Sequence, residues 1–367
     1  MNSDLLYRIG LTLIPGVGTI NARSLVAHCG SAEAVFKEKR SLLQKVPGIG
    51  AKSAKSISEQ EVLHRAGEEI DFILKNDITP LFYLDKNYPR RLKLCEDGPV
   101  MLYQKGKTLL NEQRALAMVG SRNATDYGKN FCNNFIKSLQ PFKPLVVSGL
   151  AYGIDIASHK AALQHKLLTV AILGHGLDTV YPALHRNTAQ KILDEGGSLL
   201  SEFISGTPPD RENFPKRNRI IAGMCDATIV VEAARKGGAL ITAEIANNYN
   251  RDVFAVPGRL DDTFSEGCNY LIKTNKASLL SGVEDLKYLL GWEELEVKAQ
   301  PQRQLFIEMD EPEKILHRIL NEANGKLELD KIGYRAEWPI GKVLTVLMSL
   351  ELKGVVQSHP GKVYSLR

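Results

Sequence analysis

The chain has 367 residues, of which 44% are hydrophobic and 24% charged. That is enough apolar material for a large core and more than one domain, and it excludes a disordered chain. Formal net charge is +5 and the pI about 8.8, so a nucleic-acid reading must rest on where Lys and Arg sit rather than on their small excess. Cys29, Cys95, Cys132, Cys225 and Cys268 are far apart, odd in number and form no C-x-x-C pair. This argues against a zinc site or disulfide framework and for reduced thiols in a cytosolic protein. No basic flank precedes an apolar run at the N-terminus, and no apolar stretch reaches membrane length. A soluble, cytoplasmic protein without a membrane span is the expectation.

Residues 1–65 predict short helices. Their main feature is an internal repeat, IPGVGTINARSL from Ile14 and VPGIGAKSAKSI from Val46, with counterparts 32 positions apart. The pattern resembles a tandem helix-hairpin-helix. Its glycines would let the backbone approach a phosphate, and the next helix would aim its free N–H groups and positive dipole end there. Arg23, Lys52 and Lys55 follow those turns and are candidate secondary DNA contacts. The competing reading is a compact interaction module whose glycines only make tight turns. The sparse positive charge of the first copy leaves both open.

Residues 66–292 alternate apolar runs of strand length with helical patterns, which predicts βα units around a mainly parallel, doubly wound sheet. Candidate strands are Ala115–Val119, Leu145–Ser148, Thr169–Leu173, Ser198–Ser201, Thr228–Glu232 and Val253–Val256. They are rich in Val, Ile and Leu with little alternation, as strands covered on both faces should be. A functional edge is expected at their C-terminal ends. After the first of them comes AMVGSRNATDYGKN, a strand, a Gly120-Ser121 turn and a helix from near Thr125. Gly120 permits close backbone approach, Ser121 can donate to an anionic oxygen, and Arg122 supplies a fork of donors for a phosphate. G-x-G-x-x-G and a Walker loop are both absent. By itself the turn is also compatible with Arg122 as an ordinary surface residue.

Longer blocks follow: VVSGLAYGIDIASHKAAL from Val146, AILGHGLDTVYP from Ala171, LLSEFISGTPPDRENFPKRNRIIAG from Leu199, IVVEAARKGGALITAEIA from Ile229, then RDVFAVPG and SEGCNYLI. Together with the leading segment YPRRLKLCEDGPVMLYQKG, these resemble the DprA/Smf family of DNA-processing proteins over essentially the whole central region. The resemblance implies a Rossmann-like domain that binds single-stranded DNA, forms homodimers and loads RecA recombinase during natural transformation. It implies that Gly120, Ser121 and Arg122 form a phosphate-binding turn. It also implies that Lys166 and Arg186 fall near DNA-contacting lysines of the family, and that Phe214, Lys216, Arg217 and Arg219 belong to a matching FPKRNR segment.

That segment has its own physical reading. A base can stack on Phe214 while neighbouring cations neutralise phosphates, each stacked base contributing roughly 1–3 kcal/mol. The alternative is that Phe214 and Pro215 pack the domain while an arginine pairs with Glu202 or Glu232; at least one of Arg217 and Arg219 is expected to be structural in this way. Asp155, His159, Asp178, Glu202 and Glu232 sit near strand ends and tempt a catalytic reading. A His near an Asp is more often a hydrogen-bonded structural pair, and neither metal-ligand spacing nor a G-x-S-x-G elbow is present. Gly237 and Gly238 open a helix in RKGGALITAE and are a possible anion turn.

A polar linker is predicted at 293–308. Residues 309–367 predict three helices and a hairpin with its turn at Pro360-Gly361, a winged-helix-like order in which Pro339 starts the third helix. Lys342 and Lys353 lie on the presumptive recognition helix, and Leu344, Val346, Leu347 and Leu350 read as core. With few base-reading side chains, this region fits a protein-contact or dimer-support role better than sequence-specific DNA reading.

The expected protein is therefore a three-part, non-catalytic binder of single-stranded DNA that needs no cofactor or metal, with RecA and a second copy of itself as partners. Two other readings compete. One is a nucleoside-monophosphate phosphoribohydrolase, against which the missing P-G-G-x-G-T turn argues. The other is an adaptor that touches no DNA.

Overall fold

The computed structural model describes residues 3–293, 309–323 and 325–366. Two compact units divide it, residues 1–295 and 296–367. The predicted linker falls almost wholly outside the described residues.

The first unit is built on nine strands: β1 (Ile78–Phe82), β2 (Met101–Gly106), β3 (Ala115–Val119), β4 (Leu145–Ser148), β5 (Thr169–Leu173), β6 (Ser198–Ser201), β7 (Ala227–Val230), β8 (Asp252–Ala255) and β9 (Ser278–Leu279). Their order is β1-β2-β6-β5-β4-β3-β7-β8-β9. Strands β3 to β9 run parallel, while β1 and β2 add an antiparallel edge against β6. The doubly wound α/β core expected from sequence is present. β3, β4, β5 and β7 are buried at every residue, which is why their sequences lack alternation. β7 and β8 begin one residue earlier than predicted. β1 and β2 were not anticipated; Pro80 within β1 weakens its strand signal, and the structure tolerates it because β1 is an edge.

From β3 the chain crosses to β4 on one side and later returns to β7 on the other. The C-terminal end of β3 is thus the switch point, where the two adjoining connections depart in opposite directions and leave a crevice.

The sequence repeat becomes a backbone repeat. Helices Thr19–Cys29 and Ala51–Ser58 both start from a glycine N-cap, Gly18 at φ −80, ψ 176 and Gly50 at φ −82, ψ 177. The preceding Gly16 and Gly48 sit at φ +80 and +83, a region that favours glycine. These helices share one apolar core with the sheet.

Two polar clasps bind the parts of this unit. Arg91 is buried and donates from Nε and Nη2 to Asp226 at 2.6 and 2.8 Å, and from Nη1 and Nη2 to the carbonyls of Glu112 and Gln113 at 2.9 and 2.7 Å. Asp226 also accepts the Ala115 amide at 2.8 Å, which ties the clasp to the start of β3. The second clasp is Glu69 on helix Leu63–Lys75. Its buried carboxylate accepts from the Ser205 amide (3.0 Å), the Ser205 hydroxyl (2.5 Å) and Arg65 (3.0 Å).

The second unit has helices Glu311–Glu322, Leu329–Ala336 and Ile340–Leu352, and a three-stranded sheet ordered Leu327–Glu328, Val363–Leu366, Val356–His359. This is the winged-helix-like arrangement predicted. Leu347 and Leu350 are core, whereas Leu344 and Val346 are only partly buried against it. Glu313 is buried and accepts from Ser349 and Lys353, both at 2.6 Å. Lys353 thereby caps the third helix onto the first rather than pointing outward to a ligand. Lys342 lies 4.0 Å above the Trp338 ring centroid.

Replacing Arg91 by Met leaves the Asp226 carboxylate with the Ala115 amide but without the guanidinium, and takes that donor from two carbonyls. Stability should fall by about 2–3 kcal/mol, less than the roughly 3–5 kcal/mol of a fully buried pair because the Asp226 side chain is 29% exposed. A urea midpoint shift with unchanged slope checks this; a shift worth under about 1 kcal/mol would show that the clasp is not stabilising.

Candidate nucleic-acid interface

The turn after β3 is fixed from both sides through its backbone. The Ser121 amide donates to the Glu232 carbonyl at 2.7 Å, and the Ser121 carbonyl accepts the Ile154 amide at 3.1 Å. The glycines around it serve loop-on-loop packing. A Cβ on Gly120 would lie 2.8 Å from the Ile154 Cβ and 3.0 Å from the Glu232 carbonyl oxygen; one on Gly153, at φ +77, would run into the Ser121 carbonyl. The Glu232 carboxylate is buried and accepts the Thr125 amide at 2.9 Å and the Thr125 hydroxyl. Thr125 in turn caps helix Asp126–Ser138 by accepting from the Gly128 amide. Two connections that leave the sheet at the switch point are thus locked to each other.

Above this turn lies a cleft of about 830 Å³. Gly120, Ser121, Arg122, Tyr181, Arg211, Phe214, Arg217, Lys236, Gly237 and Gly238 all line it, with Asp155 as the one carboxylate among its lining residues. Arg122 is exposed and its guanidinium stands 5.5 Å above the Phe214 ring centroid. Among the described residues no carboxylate pairs with Arg122, Arg211 or Lys236. Helix Gly238–Asn248 starts at the cleft wall from Gly237 with no side-chain cap, so its first N–H groups and dipole face whatever the cleft holds.

The floor is Arg217, 3% exposed. It donates from Nη1 to the Gly149 carbonyl at 2.7 Å and to the Ile172 carbonyl, while its Nε has no partner. Burial lowers its pKa to about 10, which still leaves it a cation at neutral pH. Asp155 is also buried, and burial raises its carboxyl pKa, opposed by the nearby Arg217 charge.

The DNA recombination-mediator protein A model matches residues 79–291, the DprA winged-helix model residues 301–362, and a SAM-like helix-hairpin-helix tandem model residues 9–60. The Smf protein of Escherichia coli is 36% identical over 286 residues, covering 76% of this chain and 75% of that protein. The chain belongs to the DprA/Smf family. The Smf protein of Synechocystis is 31% identical across the full length of both chains. The crystal structure of DNA processing protein A from Streptococcus pneumoniae superposes with a TM-score of 0.67 at 32% identity, covering 79% of this chain and 98% of that one. The Helicobacter pylori protein, whose structure concerns its single-stranded DNA binding mode, gives 0.52 at 28% identity over 58% and 95%.

Within this DprA/Smf chain the structure gathers some of the sequence candidates and separates others. Gly120, Ser121, Arg122, Phe214, Gly237 and Gly238 line one cleft, and exposed Lys216 sits on the same helix as Phe214. Arg186 is exposed at the start of helix Arg186–Asp194, next to His185, whose Nδ1 lies 2.7 Å from the Leu150 carbonyl. It shares the C-terminal sheet edge but lines a different hollow, with Asp178 and Lys105. Asp178 there accepts the Gly206 amide at 2.9 Å.

Four candidates need correction. Lys166 precedes β5 and lines a hollow with Lys143, which precedes β4. It therefore sits at the N-terminal edge of the sheet, a strand length or on the order of 15 Å from Arg122. Arg217 is a buried floor residue committed to carbonyls. Arg219 pairs with Glu202, both nearly buried, the internal pairing that the sequence left open. Arg23 turns inward, donating to the Cys95 carbonyl at 2.9 Å and stacking 5.1 Å above Tyr83, where it joins the helical segment to the sheet. Lys52 is exposed and Lys55 pairs with Glu59 at 3.6 Å. Sequence reading missed Tyr181, Arg211 and Lys236. All three lie within the motifs that carry the family resemblance; Arg211, just ahead of helix Asn213–Met224, adds a further cation to the FPKRNR segment, and Lys236 precedes the Gly237-Gly238 pair.

The Asp155–His159 pairing also needs revision. His159 Nδ1 lies 2.8 Å from Thr169 Oγ1, which itself donates to the Val146 carbonyl, so Nδ1 carries the proton and Nε2 is bare. Nε2 is buried without a partner, and burial lowers the pKa to about 3. His159 is a core residue and stays neutral in the fold, whereas the unfolded chain protonates it below about pH 6.5. Its stabilisation is complete above pH 6.5 and is lost as pH falls toward 3, by about 2 kcal/mol at pH 5. Unfolding at pH 7 and pH 5 should differ by about that much less in His159→Gln than in the parent protein; equal pH dependence would contradict a buried neutral imidazole.

Proposed function

We propose that the cleft holds the backbone of a single DNA strand, and that the protein protects incoming DNA and presents it to RecA in the cytoplasm without catalysing a reaction. The observation that carries this reading is the Arg122–Phe214 contact at the switch point, an unpaired cation on an aromatic ring beside an open helix N-terminus. Cations without carboxylate partners favour phosphates, an aromatic lip favours unpaired bases, and neither reads sequence, so sequence preference should be weak. Family membership and the single-stranded DNA binding of the Helicobacter pylori relative support it. Three of the acidic and imidazole groups near the strand ends favour a non-catalytic reading because they are committed to structure. Glu232 holds the helix-capping Thr125, Glu202 pairs with Arg219, and His159 bonds Thr169. Homodimer formation and transfer to RecA belong to the same proposal, and rest on the family resemblance.

Arg122→Ala should weaken binding to oligonucleotides of any sequence. It should also flatten the log-affinity against log-salt slope by roughly 0.7, the value of one phosphate contact on a single strand. Unchanged affinity and slope would remove Arg122 from the interface. Phe214→Leu removes the ring on which Arg122 rests and which packs against Tyr181 in the aromatic lip, so it should lower single-strand affinity more than duplex affinity; equal losses would assign Phe214 to folding.

A further inference from the structure

Phe214 has little free ring surface. It is only partly exposed, Arg122 stands over it, and its edge abuts Gly174, where an added Cβ would come within 3.1 Å of a ring carbon. Tyr181 is its other neighbour, with ring centroids 5.9 Å apart and planes tilted by 36°. A base cannot enter between them, since that needs parallel rings about 7 Å apart, twice the roughly 3.4 Å step of stacked bases. Tyr181 itself is 47% exposed. It lines the cleft together with Arg122 and Arg211, so an aromatic face lies open beside cations able to hold the flanking phosphates. Its backbone is anchored, the amide donating to His175 Nε2 at 3.3 Å, while the ring is held from behind by Phe214.

We propose that Tyr181 is the face on which an unpaired base stacks, with Phe214 serving as its backing and as the rest for Arg122. This deepens the single-strand reading and depends on it. Stacking is indifferent to base identity, so the residue would set the preference for unpaired over paired DNA rather than for any sequence.

The test compares Tyr181→Leu, Tyr181→Phe and Phe214→Leu on three probes: an oligothymidylate, an abasic deoxyribose-phosphate strand of equal length, and a duplex. Tyr181→Leu should lose on the order of tenfold on the oligothymidylate and almost nothing on the abasic strand or duplex, while Tyr181→Phe stays within about twofold of the parent. Equal losses on all three probes, or none on any, would overturn the proposal. If Phe214→Leu and Arg122→Ala also bind the oligothymidylate normally, the single-strand reading itself fails. If they weaken and Tyr181→Leu does not, only this inference fails. Should Tyr181→Leu not fold, Tyr181→Trp gives an independent reading: indole emission quenched by the oligothymidylate but not by the abasic strand supports stacking, and equal quenching or none refutes it.

Discussion

The organisation of the cleft depends on the backbone of one residue. Ser121 is hydrogen-bonded through its amide to the connection after β7 and through its carbonyl to the helix after β4. Neither bond uses a side chain, so the turn is held without consuming the groups that could meet a ligand. The glycines at 120 and 153 make the close contact possible, and the buried Glu232 carboxylate holds Thr125, the residue that caps the next helix. Arg122 is then presented at the mouth by a support that packing has already made rigid.

Charge is arranged by the same economy. On helix Asn213–Met224, arginines two positions apart have opposite fates. Arg219 is matched by Glu202 and contributes no net field. Arg217 is held by the carbonyls of Gly149 and Ile172, which satisfy part of its donor fork without neutralising it. Asp155 lies near enough to offset part of its charge, so the positive potential of the cleft does not rest on Arg217 alone. Arg122, Arg211, Lys236 and the helix dipole from Gly237 add to that potential at the rim.

The parallel strands were legible because burial on both faces writes an unbroken apolar run, and the turn at Gly120-Ser121 because a strand running through glycine into a helix marks a tight junction; what that turn binds the motif alone left open. The repeat at Ile14 and Val46 was likewise readable as matched turns. What sequence could not supply was direction. Lys166 and Arg122 are both basic and both follow helix or strand ends, yet only the sheet topology assigns them to opposite edges. Arg23 looked like a helix-start cation and is instead an inward bracket, because the partners that attract it, the carbonyls of residues 93–95, lie some seventy positions away. His159 resembled half of a catalytic pair, but its Nδ1–H donates to Thr169 on the following strand. β1 was missed because, as an edge strand, it carries Pro80, and β2 because Gln104, Lys105 and Gly106 cut short its apolar run.

The Glu69 clasp has a bearing on how the molecule is divided. Glu69 stands on helix Leu63–Lys75, which spans the predicted boundary at residue 65, and its carboxylate gathers the amide and hydroxyl of Ser205, in the loop that runs through Pro209 and Arg211 to Phe214. This helix, the last before the sheet, is therefore a buttress for the rim of the cleft. A shortened form starting at the sheet would keep its core strands but lose the strut that sets the height of that rim.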